Sequence, residues 1–81
     1  MATKRKKREP FNPGFIYYKQ NTNFGITIYG MIRKAYKNGL AEVFAFSEAC
    51  PSGEYGTAYW NELIPISKDK YFNAANRILK A

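Results

Sequence analysis

Residues 24 to 66, FGITIYGMIRKAYKNGLAEVFAFSEACPSGEYGTAYWNELIPI, decide the fold. They hold three apolar runs, Phe24 to Tyr36, Leu40 to Ser47 and Tyr55 to Ile66, interrupted at Lys37-Asn38-Gly39 and at Pro51-Ser52-Gly53. In the first run Ile26, Ile28 and Ile32 alternate with Thr27, Tyr29, Met31 and Arg33, the period of two of a half-buried strand. Gly30 falls on the apolar face, where a glycine marks a bulge or a bend. Asn38-Gly39 supplies positive φ at both central positions of a type I′ turn, so a hairpin should join the first run to the second. The second run, LAEVFAFS, is polar throughout on neither face and is expected to be central and covered on both sides. Glu48 to Gly56 reads as a long turn with a mobile tip, and Thr57 to Trp60 as a fourth strand. Asn61 to Leu63 reads as one tight helical turn, and Ile64-Pro65-Ile66 as a brief edge strand that leaves dimerisation open, since proline is tolerated at a sheet edge.

Upstream, Phe15 to Gln20 (FIYYKQ) reads as a first strand from its aromatic and β-branched content, with Asn21-Thr22-Asn23 as the turn after it. Pro10-Phe11-Asn12-Pro13-Gly14 is a rigid hinge that marks the domain boundary, and Phe11 is placed to tuck against the barrel. Residues 1 to 10 form a basic arm expected to be disordered when free, because five consecutive cations repel one another. Residues 11 to 81 form a single small domain. Downstream, Ser67 is a suitable N-cap and Asp69 suits a first helical turn. Tyr71, Phe72, Ala75, Ile78 and Leu79 then recur at helical spacing, predicting one structural helix over 67 to 80.

The fold class expected is mainly β with one C-terminal α-helix: a small, SH3-like, strongly bent antiparallel sheet or partly open barrel of about five short strands. A strand, a single helical turn and a short closing strand resemble the end of the small SH3-like barrels, a resemblance of element order over residues 15 to 66.

Composition bears on the core and on partners. Ile, Leu and Val number 11 while Phe, Tyr and Trp number 14, so a small core fills with only some of the rings and several tyrosines should stay at the surface. Thirteen Lys and Arg against six Asp and Glu give a net charge of +7. Residues 1 to 10 carry +4 of it and residues 11 to 81 carry +3. A basic body with a more basic tail suits polyanion binding by counterion release. Cys50 is the single cysteine, so neither an internal disulfide nor a cysteine metal cage is available, and no cofactor or metal is expected. No run approaches the ~18 apolar residues of a membrane span, and no apolar segment follows the basic start, so an intracellular protein is expected.

The main functional expectation is a nucleic-acid-binding protein of low sequence specificity, acting on DNA or RNA. Lys4, Arg5, Lys6, Lys7 and Arg8 would contact phosphates, and Tyr29, Arg33, Lys34, Tyr36 and Lys37 would form a patch of rings interleaved with cations on the second strand. Other readings of the arm are a nuclear localisation signal, a contact to anionic lipid, or a solvated tail. Tyr29 and Met31 could equally form the floor under the helix. A rival reading takes Tyr55, Tyr59 and Trp60, beside Glu54 and Glu62, as the groove of a peptide- or protein-interaction module, while Trp60 is also a natural core residue. An enzyme is not expected: with no His, acid–base chemistry has few candidates, and no two carboxylates sit together. Ser47-Glu48-Ala49-Cys50-Pro51 resembles a turn in the plasmid-borne barrel-type dihydrofolate reductases. Thr57-Ala58-Tyr59 departs from that family's Gln-Ile-Tyr active-site strand, so no catalytic role is carried over.

Overall fold

The computed structural model describes residues 9–79. Five strands, β1 (Tyr17–Asn21), β2 (Thr27–Ala35), β3 (Leu40–Ser47), β4 (Cys50–Tyr59) and β5 (Ile64–Pro65), form one antiparallel sheet in the order β4-β3-β2-β1-β5. A 3-10 turn at Trp60–Glu62 leads into β5, and helix α1 (Lys68–Ile78) follows. The five-stranded antiparallel sheet and C-terminal helix match the expectation, but the strong bend or partly open barrel is not formed: β4 and β5 are opposite edges of an open sheet and do not pair.

Strand alternation divides the core in two. On one face Tyr17, Tyr29, Met31, Phe44 and Phe46 lie beneath Tyr71, Ala74 and Ile78 of α1. On the other, Tyr18, Ile32, Ala35, Ala41, Val43 and Leu63 pack with Phe15, Ala58 and Trp60. The helix begins where Ser67 Oγ accepts the Lys70 N–H at 3.2 Å, as its N-cap chemistry predicts. Its buried residues are Tyr71, Ala74 and Ile78, and Phe72 is rotated outward against Tyr17 and Tyr71. Tyr18 and Phe46 are the largest fully buried side chains, each stabilising the fold by roughly 1.5–3 kcal/mol through the apolar area removed from water.

Three local readings differ from the structure, each for a physical reason. The long turn expected at 48–56 is a two-residue turn at Glu48-Ala49, and β4 starts at Cys50. Ser47 Oγ accepts the N–H groups of Ala49 and Cys50, both at 3.2 Å, which closes the turn early. Pro51 and Gly53 are then tolerated because β4 is an edge strand. Gly53, at φ 75°, lies where a Cβ would strike the Phe44 ring. The hairpin at 37–39 has three loop residues: Gly39 N donates to the Tyr36 carbonyl at 3.0 Å, and Gly39 alone takes positive φ, while Asn38 Oδ1 accepts the Leu40 N–H. Gly30 is not the bulge. The register shifts between Ile32 and Lys34 instead, and Gly30 is glycine because the Tyr18 ring lies flat over it where a Cβ would stand.

Gly30→Ala is expected to cost about 1–3 kcal/mol in urea denaturation, less when combined with Tyr18→Leu, which frees the space. Burial pushes the Tyr18 phenol up to about 12, with Tyr71 adding to the shift, and burial raises the Tyr71 phenol as well. The unfolded chain releases these protons near 10, so their contribution to stability is whole below that pH and is lost as pH rises toward about 12. Thermal melts should show that decline, and Tyr18→Phe should flatten it.

Candidate nucleic-acid interface

The β2 bulge decides what the basic residues can do. The register shift leaves Arg33 unopposed between Ile32, which faces Val43, and Lys34, which faces Glu42. Arg33 reaches across the sheet instead, its Cζ 4.6 Å from the centroid of the Tyr55 ring on β4. Tyr55 also leans on Phe44, with centroids 5.1 Å apart, and keeps more than half of its surface open. Tyr59, two strand positions beyond Thr57, is exposed on the same face. Arg33, Lys34, Tyr55 and Tyr59 therefore occupy the part of the helix-bearing face that α1 leaves open.

The other predicted residues go elsewhere. Tyr29 lies in the core cluster under α1, stacked on Phe46 at 6.0 Å, and Met31 packs in the same cluster. They serve as the helix floor. Tyr36 is buried, its hydroxyl donating to Glu42 Oε2 at 2.8 Å. Lys37 Nζ pairs with Glu9 Oε1 at 3.0 Å on the surface, one of two ion pairs among the described residues. Trp60, read as a groove residue, is half-buried: its indole N–H donates to the Tyr36 carbonyl at 2.8 Å and its ring stacks on Phe11 at 4.6 Å. Residues 4–8 lie outside the described residues.

The chain just after them is fixed firmly. Lys37 N donates to the Glu9 carbonyl and Phe11 N to the Ala35 carbonyl, each at 2.9 Å, so residues 9–11 run antiparallel to the end of β2. Glu9, which follows the basic block in the sequence, is thus held at the hairpin end of the sheet, with its carboxylate on Lys37. The described residues hold seven basic and six acidic groups, a net +1 against +7 for the whole chain. The described part of the chain is near neutral.

Neither the Arg33–Tyr55 contact nor the Phe11–Trp60 stack could be read from spacing, since each joins residues more than twenty positions apart. The visible signal was the pair of exposed-type tyrosines on β4, read as a separate group. Among the described residues no cluster of three or more His, Cys, Asp or Glu is placed to hold a metal ion, and no helix is long and apolar enough to cross a membrane. No family model, curated protein or solved structure matches the chain.

Phe11→Ala should remove the stack on Trp60 and cost about 0.5–1.5 kcal/mol beyond lost area. A red-shifted Trp60 emission in the folded variant checks it, and an unchanged spectrum would mean the stack does not form in solution.

Proposed function

We propose that the protein binds nucleic acid chiefly through its phosphates, with little sequence preference. The observation that carries this reading is where the charge sits: five of the seven net positive charges are in Lys4, Arg5, Lys6, Lys7 and Arg8, just ahead of Glu9, whose carbonyl is bonded to the sheet. Cations on a tethered segment reach phosphates by displacing condensed counterions. Arg33, Lys34 and the open rings of Tyr55 and Tyr59 form an adjoining platform on which an unpaired base can stack. Tyr29 is no longer part of that platform, and the near-neutral body gives the leader most of the affinity.

The rival peptide-groove reading draws on the SH3-like order of elements, in which a 3-10 turn leads to a last strand paired with the first. It is weakened because Trp60 spends its N–H on Tyr36 and its face on Phe11. No reaction is proposed for either reading.

Five phosphate contacts on duplex correspond to a slope of about −4 to −5 in log K against log salt, or roughly a 10²- to 10³-fold weakening between 50 and 200 mM. Replacing Lys4, Arg5, Lys6, Lys7 and Arg8 with Gln should remove most of that slope and leave the circular dichroism unchanged. Tyr55→Ala should weaken single-stranded probes by about 1–3 kcal/mol more than duplex. Absent binding, binding indifferent to salt, or an unaltered slope in the Gln variant would defeat the proposal.

A further inference from the structure

The two edges of the sheet are unlike. β5 is two residues long and ends in proline, which blunts it. β4 is ten residues long, and from Glu54 to Tyr59 it carries no lysine, proline or register shift to protect it. The phase of its free backbone groups follows from one hydrogen bond. Trp60 N donates to the Gly39 carbonyl at 2.9 Å, so Leu40 and Tyr59 form a non-hydrogen-bonded pair. The alternation of an antiparallel ladder then turns the N–H and C=O of Glu54, Gly56 and Ala58 toward β3, and those of Tyr55, Thr57 and Tyr59 out of the sheet.

We propose that this edge pairs with the same edge of a second copy of this chain, antiparallel about a twofold axis at Thr57. The stretch Tyr55-Gly56-Thr57-Ala58-Tyr59 reads nearly the same in both directions. Paired on itself, it sets Thr57 opposite the partner's Thr57 and Tyr55 opposite the partner's Tyr59. Tyr–Tyr and Thr–Thr are favourable cross-strand neighbours. Gly56 meets the partner's Ala58, so the opposite face is not crowded. Glu54, the one charge on this half of the strand, meets the partner's Trp60 and not a second carboxylate. A foreign strand gains the same backbone bonds but not this match of side chains. The pairing adds about six inter-strand hydrogen bonds and makes a ten-stranded sheet with both helices on one face. Four tyrosines and both Arg33 side chains then form one strip across the axis. An interface of this size suits a dissociation constant on the order of 10 to 100 μM.

Sedimentation equilibrium of the full chain, in about 0.5 M salt to keep polyanions off, should show a monomer–dimer equilibrium in that range. Amide exchange by NMR should slow roughly tenfold or more at Tyr55, Thr57 and Tyr59 as concentration rises, and stay constant at Gly56 and Ala58. Thr57→Lys sets two ammonium groups on the axis and should give a monomer with unchanged circular dichroism, as should Thr57→Glu. Mixing the two variants should restore a dimer as the heterodimer. A wild-type monomer at every concentration overturns the proposal and leaves the edge to a foreign strand. A dimer that survives Thr57→Lys, or one without protection at the three outward amides, overturns it equally.

Discussion

A sheet with two apolar faces and, among the described residues, a single α-helix to cover them is the constraint behind most of this structure. Alternation sends Tyr17, Tyr29, Met31, Phe44 and Phe46 to one face and Tyr18, Ile32, Ala41 and Val43 to the other. The helix shields the first, and no described element of comparable length covers the second. That face is sealed from within, by small residues such as Ala35 and Ala41, by the flat Tyr18 ring over Gly30, and by Phe15 and Trp60 at one end. Residues 9–16 are therefore part of the fold and not a hinge leading to it, since Phe11 secures Trp60 and the backbone of 9–11 extends the pairing of β2.

The same solution separates charge from fold. Acids and bases nearly balance over the described residues, and several are engaged with one another or with hydroxyls, as Lys37 is with Glu9 and Glu42 with Tyr36. The Lys37–Glu9 pair is exposed and contributes little to stability, whereas the Tyr36–Glu42 hydrogen bond is part-buried. They matter for position: the first holds Glu9 at the hairpin end of β2, and the second ties Tyr36 to β3. Packing holds the described residues together, and most of the net charge lies in the sequence ahead of them.

What was legible in the sequence was whatever local periodicity controls. The alternation in β2 and β3, the Ser67 cap and the helical stripe after it all lie within spans where side-chain spacing dictates the face. The N-terminal half of β4 was not legible, because Pro51 and Gly53 carry turn chemistry and only their place at the sheet edge permits an extended strand there. Tyr29 was ambiguous in principle: an alternating strand reveals two faces without saying which one the helix will choose. The bulge that frees Arg33 was misplaced at Gly30, since a glycine required by a neighbouring ring looks the same in sequence as one required by backbone bending.

The strand order also ties the early part of the chain to the late part. β1 lies between β2 and β5, and Tyr17 rests against Tyr71 with ring centroids 4.6 Å apart, across a sequence separation that spans most of the described chain. The hairpins β2–β3 and β3–β4 close over short loops and can form while synthesis is still under way. β1 gains one neighbour from β2 but must wait for the other, and for the helix over its tyrosine, until the C-terminal segment has cleared the ribosome. The contacts of α1 and β5 with β1 thus span the longest stretches of chain and carry the largest loop-closure entropy in the sheet.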